Sequence, residues 1–198
     1  MLVCLCVFLL QLKRCGIQNT ESQEIVNLEI KILRDFRCEN IVQMIGSEMK
    51  VISSHRKEAF ILLEYCSGGH LLDILNRKAG SYLKISVIGD VFSQVLKAVK
   101  ALHDNNPTVT HRDLKLENIL KARNGTIKLC DFGSCVFGNV PLTSALERSQ
   151  AEDVIGKTTT QSYRAPEMVD LFMREELTEK TDIWVIAMVL LVDFVLLL

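Results

Sequence analysis

A chain of 198 residues with 23 basic and 24 acidic side chains carries a formal charge of −1, no surplus of positive charge for nucleic acid or an acidic membrane surface. Forty-eight per cent hydrophobic residues with only three prolines excludes a disordered segment and predicts a folded domain with a sizeable core. The seven cysteines, at positions 4, 6, 15, 38, 66, 130 and 135, form no C-x-x-C pair. That argues against a structural zinc site and for a reducing compartment, with thiols serving as small apolar side chains.

The opening stretch, MLVCLCVFLLQLKRCG, has no polar side chain in its first ten residues. Its lysine and arginine follow the apolar run, whereas a secretory signal carries its positive charge first. The run over residues 7–12 predicts a buried strand. TESQEIVNLEIKILRDF, residues 20–36, predicts a helix. Thr20 or Ser22 can cap it, and Ile25, Leu28, Ile32, Leu33 and Phe36 recur at helical spacing. Strands are predicted over residues 41–45 and 59–65, with the polar SEMKVISSHRKE between them as a hairpin loop.

Ser67-Gly68-Gly69 breaks the chain, and helices follow over residues 71–77 and 85–103. In the longer one Ile88, Val91, Phe92, Val95, Leu96, Val99 and Leu102 form one stripe. From there to Tyr163 the pattern is of short strands and loops. Residues 183–198, IWVIAMVLLVDFVLLL, contain Asp193 and fall short of the roughly 20 residues of a spanning helix. They predict a core helix, apolar all round. Strands first and helices later make an α+β architecture of two parts, with a hinge near residues 64–69.

Two short stretches carry chemistry. HRDLKLEN places Asp113 and Asn118 in one loop with Lys115 between them. A carboxylate can orient a hydroxyl and accept its proton, and an amide oxygen can bind a metal ion. A lysine can neutralise charge on a transferring phosphoryl group. Asp131, in DFG, follows an apolar strand and can reach out to hold Mg²⁺. Further on, YRAPE brings Glu167 to where it can anchor a loop.

With HRDLKLEN, DFG and APE in this order, the chain resembles a eukaryotic protein kinase. The resemblance implies a two-lobed α+β fold, with residues 1–66 a partial N-lobe through the hinge and residues 67–198 a partial C-lobe. It implies ATP and Mg²⁺ as cofactors. Lys13 would touch the α and β phosphates with Glu29 as its anchor. Leu63 would be the gatekeeper, and the Glu64 carbonyl and Cys66 amide would meet the adenine edge. Asp113 would orient the substrate hydroxyl, Lys115 would stabilise the γ-phosphoryl group, and Asn118 and Asp131 would hold the metal. The activation segment would contain Asp131, Phe132, Gly133, Thr160 and Glu167, with Thr160 against the catalytic aspartate and Glu167 paired with a downstream arginine. Arg112 would be the partner of a phosphothreonine. Cys130, His111 and Phe132 read as packing residues.

EYCSGGHLLDIL, LCDFGS and TTTQSYRAPEM are similar to the Numb-associated kinase family, which includes adaptor-associated, cyclin-G-associated and yeast actin-regulating kinases. That likeness implies protein substrates phosphorylated on serine or threonine, among them clathrin-adaptor or actin-patch proteins. It implies a cytoplasmic protein, peripheral at endocytic sites. No nucleic acid and no integral membrane anchor are expected, and the oligomeric state is left open.

The sequence departs from the kinase pattern in three places. A G-x-G-x-x-G loop should precede Lys13 by about fifteen residues or more, whereas twelve residues precede it, none of them glycine. Ala187 stands where glycine is usual, and the chain stops at Leu198, ahead of the later helices. The expectation is a kinase fold without its Gly-rich loop and last helices, with a weakened hold on ATP. Two alternatives follow: an inactive fragment that serves as a protein-interaction module, and a membrane-tethered protein.

Overall fold

The computed structural model describes residues 10–53, 56–77 and 84–191. Parts of three predicted features, the strand over 7–12, the loop over 47–58 and the helix over 183–198 with its Asp193, lie outside the described residues.

Strand β1 (Leu10–Ile17) leads into helix α1 (Thr20–Asp35). The cap of α1 is Asn19, not Thr20 or Ser22. Its Oδ1 accepts from the Ser22 N–H at 2.8 Å, while the Ser22 hydroxyl accepts the Asn19 N–H at 3.1 Å. This reciprocal box satisfies two donors that the first turn leaves over. Strands β2 (Met44–Ser53) and β3 (Arg56–Glu64) follow, and the three strands pair antiparallel in the order β1-β3-β2.

Most of the stretch predicted as a hairpin loop is therefore strand. From Glu48 onward every described side chain of β2 is exposed, so no alternation of buried and exposed residues marks it. Backbone pairing carries this ladder out beyond the core, with register shifts between Met44 and Gly46 and between Val51 and Ser53.

After the sheet come β4 (Gly69–His70), α2 (Leu71–Arg77) and α3 (Ile85–His103). The α3 stripe is corrected at one position: Leu96 is exposed, and Ala98 takes its place among the buried residues. The short β5 (Val109–Thr110) precedes β6 (Ile119–Lys121) and β7 (Ile127–Leu129), then β8 (Val136–Phe137) and β9 (Val140–Pro141). Three small antiparallel sheets form, β4-β6-β7, β5-β8 and β10-β9, where β10 is defined below. Gly68 stands where β4 crosses β6, and a Cβ there would lie 2.6 Å from the Lys121 carbonyl oxygen. Only glycine permits that approach.

The region expected to hold only strands and loops also contains a helix, α4 (Ala145–Thr158). Its apolar signal is weak, because only Ala151 and Ile155 are buried. Its N-terminal signal is strong: Ser144 and Glu147 form a capping box, with Thr143 donating to the same glutamate at 2.7 Å. The one-turn α5 (Pro166–Val169), strand β10 (Glu176–Leu177) and helix α6 (Lys180–Met188) complete the described chain. Among the described residues, no helix is long and apolar enough to cross a membrane.

One core runs through both parts, from Ile32, Leu33 and Ile61 through Ile41 to Leu102, Leu129, Phe132 and Val185. A second, smaller one gathers Leu142, Ile155, Ala165, Met168 and Leu177 around α4 and α5. Polar contacts also join the parts. The buried Lys128 in β7 reaches Glu64 Oε1 at 2.8 Å and the Glu39 carbonyl at 2.7 Å. Val42 N–H donates to the Leu129 carbonyl at 2.9 Å.

Candidate active site

The middle of one strand, the end of another and one helix face bring Lys13, Glu29 and Asp131 together. Lys13 stands in the middle of β1, opposite Ile61 of the central strand. Glu29 lies on the buried face of α1 and is 3% exposed. Asp131 follows β7 with φ 63°, a left-handed backbone that turns its carboxylate toward the lysine. The Lys13 ammonium lies 2.7 Å from Glu29 Oε1 and 3.0 Å from Asp131 Oδ1. Burial works to lower the Lys13 pKa, but the two carboxylates outweigh it and hold the ammonium charged well above its ordinary range. Burial pushes the Glu29 carboxyl up, against the pull of Lys13. Beneath Asp131, the fully buried Phe132 meets His111 edge-on at 5.4 Å, and Gly133 packs on Ile25 of α1.

The second group is built on the loop between β5 and β6. Asp113 Oδ1 accepts from the Thr160 hydroxyl at 2.6 Å and from the Thr160 N–H at 3.1 Å. Its Oδ2 meets the Lys115 ammonium at 2.7 Å, and Lys115 in turn reaches Thr160 Oγ1 at 3.1 Å. Burial works to raise the Asp113 pKa, yet the bonds from Lys115 and Thr160 override it and hold the carboxyl below its ordinary value. Asn118 Nδ2 donates to the Asp113 carbonyl at 2.8 Å and to Oδ2 at 3.2 Å, which turns its amide oxygen the other way.

The loop itself hangs on a residue that sequence reasoning left without a role. Asp182, fully buried at the start of α6, accepts the His111 and Arg112 N–H groups at 2.8 Å each and His103 Nε2 at 2.8 Å. Its partners are mostly backbone amides, which no side-chain pattern displays. A carboxylate at the head of an apolar helix was the available signal. Arg112 has φ 71°, and its buried guanidinium lines a small cavity with Thr110, Val136, Met168 and Thr181. Among the described residues its Nε and one terminal nitrogen have no hydrogen-bond partner, and Thr158, Thr159 and Thr160 do not line the cavity.

The remaining predicted residues lie apart from these two groups. Leu63 is buried in β3, and the Glu64 side chain is engaged by Lys128 and by the Gln43 N–H at 2.8 Å. The Cys66 carbonyl accepts the Gly69 N–H at 3.1 Å. Burial pushes the Cys66 thiol up to about 11 and the Cys130 thiol to about 12, so both are protonated at neutral pH. Glu167 lines a cavity of about 1110 Å³ with Arg148, Arg174 and Lys180, and no ion pair joins it to a cation among the described residues.

The donor set suits magnesium. Asp131 is 49% exposed at its side chain, and the Asn118 amide supplies a second hard oxygen. Among the described residues, no group of three or more His, Cys, Asp or Glu is placed to hold a metal. One carboxylate and one amide fit an ion that keeps waters and takes its other ligands from substrate phosphates.

The family model described as "Protein kinase domain" matches residues 11–195. A probable serine/threonine-protein kinase of Dictyostelium discoideum is 40% identical over 184 residues, covering 90% of this chain and 23% of the relative. The serine/threonine-protein kinase ppk30 of Schizosaccharomyces pombe is 36% identical over 177 residues, covering 88% of this chain and 19% of the relative. Actin-regulating kinase 1 of Saccharomyces cerevisiae is 35% identical over 182 residues, 90% of this chain and 28% of the relative. The chain thus spans little more than a quarter of these relatives at most. With its α+β fold, a lysine held between two carboxylates and an aspartate set between a lysine and a threonine, the chain belongs to the protein kinase domain family.

Proposed function

We propose that this site transfers the γ-phosphate of ATP to serine or threonine hydroxyls of proteins. The observation that carries the reading is the convergence of Lys13, Glu29 and Asp131, which come from far-separated parts of the chain. In this reading residues 1–66 and 67–198 belong to the two lobes, and Leu63, Glu64 and Cys66 line the adenine side. Lys13, kept charged and aimed by Glu29, binds the α and β phosphates. Asp113, ionised and steadied by Thr160, accepts the substrate hydroxyl proton. Lys115 offers its positive charge to the transferring group. Asp131 and Asn118 would hold Mg²⁺, which would supply positive charge to the phosphate oxygens. Phe132, Gly133, Thr160 and Glu167 belong to the segment that shapes the protein-substrate side, with Arg112 the cation beside it.

The likeness to actin-regulating kinases supports a finer proposal: a Numb-associated type of kinase, cytoplasmic, acting on actin-patch or clathrin-adaptor proteins. The test is phosphate transfer from Mg-ATP to adaptor-derived peptides carrying serine, threonine or tyrosine. Transfer is expected to serine and threonine only. The Asp113→Asn variant should lose about 10²-fold or more of the rate, the usual contribution of a positioned general base. Equal transfer by both proteins would sink the assignment. If Mg-ATP leaves the melting temperature unmoved and no transfer occurs, the chain is an interaction module.

A further inference from the structure

Glu29 holds Lys13 only when α1 presents one particular face, and that face is fixed along a line of three residues. Glu21, Ile25 and Glu29 recur every four positions and so share one side of the helix. Each is met by a different part of the chain. Glu29 meets Lys13 at 2.7 Å. Gly133, two residues after Asp131, packs so closely that a Cβ there would lie 3.3 Å from Ile25 Cγ2. Glu21 Oε1 receives the ammonium of Lys157 at 3.1 Å.

Lys157 belongs to the last turn of α4, and Glu21 to the first turn of α1. Each charge therefore sits at the helix end whose dipole favours it. The C-terminal end of α4 is tied down independently, since the Ser134 hydroxyl donates to the Thr158 carbonyl at 2.6 Å. The Lys31 ammonium, further along α1, lies 4.4 Å from the centroid of the Phe137 ring in β8. The contacts from Gly133, Phe137 and Lys157 all come from the segment that begins at Asp131. No modified residue is required for them, because α4 starts from its own capping box.

We propose that Lys157 is a positioning residue for the Lys13–Glu29 pair: by holding Glu21 it fixes the rotation of α1 in which Glu29 meets Lys13. This rests on the kinase reading of the site. Lys157 touches no reacting group and acts through the helix. Both partners are about half exposed, so the bridge is a modest, salt-sensitive bias.

The experiment uses the 198-residue chain and three readouts: hydrogen exchange of the α1 amides, the Kd for ATP with Mg²⁺, and Tm. Lys157→Glu and Glu21→Lys, each alone, should speed exchange in α1 and weaken ATP binding by about three- to five-fold, the range of an exposed ion pair, with Tm unchanged. The double variant restores the pair with its charges exchanged and should recover both readouts in part, because the helix ends and Asp153 now oppose the new charges. The gap should narrow in high salt. Asp153→Asn is the control, because Asp153 lies 2.8 Å from Lys157 but on α4 itself; it should leave α1 exchange unchanged. A double variant no better than the singles, or a control that loosens α1 equally, would overturn the proposal. Absence of any ATP binding by the unaltered chain would instead overturn the kinase reading, and exchange in α1 would still decide whether Lys157 holds the helix.

Discussion

Thr160 closes a triangle with Asp113 and Lys115, and its hydroxyl makes the shortest of the bonds to the aspartate. Thr160→Val keeps the shape and removes that donor, at a cost of about 1–2 kcal/mol for a bond to a charged group. The cost depends on pH in a defined direction. The folded Asp113 carboxyl is more acidic than the ordinary aspartate value of 3.8. Its contribution to stability is therefore complete above that value and lost as pH falls through the lower folded one. The Tm deficit of Thr160→Val should be constant from neutral pH down to about 5 and close below about 4. A deficit that holds or widens in acid would contradict this account of the triangle. At this scale the sequence was informative where chemistry is concentrated in short runs. HRDLKLEN and DFG single out Asp113, Lys115, Asn118 and Asp131, and the likeness to kinases, not periodicity, pairs Glu29 with Lys13. It put Asp182 at the start of a kinase-like helix but gave no sign of its partners, since its hydrogen bonds go mainly to backbone amides.

Helix α4 shows how a helix can be encoded at its ends and not along its face. With two buried residues in its 14, it offers almost no apolar stripe. What it does offer is Ser144-Ala145-Leu146-Glu147, whose reciprocal bonds start the first turn. Ser144→Ala should cost about 1 kcal/mol and raise amide exchange over residues 145–150 by about five-fold. Unchanged exchange there would mean that packing around Ile155, not the cap, holds the helix. Strand β2 failed as a prediction for a related reason. Its outer residues are exposed on both faces, so nothing in the order of polar and apolar side chains records them. By contrast α2 and α3 run over the predicted residues, α3 because a long amphipathic stripe packs on the core.

Across the whole molecule, the two parts share a continuous apolar core and a partly buried ion pair, Lys128 with Glu64, between β7 and the end of β3. Composition and element order were enough to anticipate an α+β chain in two parts. They could not anticipate this seam, since it joins residues far apart in sequence through one lysine in a three-residue strand. The backbone on either side of the site bears a different mark. Arg112 and Asp131 both occupy left-handed conformations that side chains disfavour, on the order of 1 kcal/mol each. Asp131→Gly would relieve one of these, so the variant should melt no lower than the unaltered chain while losing its Mg-ATP-induced rise in Tm. A fall in Tm would show that the pairing with Lys13 outweighs the strain. Where strain is the larger effect, selection for fold stability alone would replace the aspartate with glycine, and only its work at the site would keep it in place.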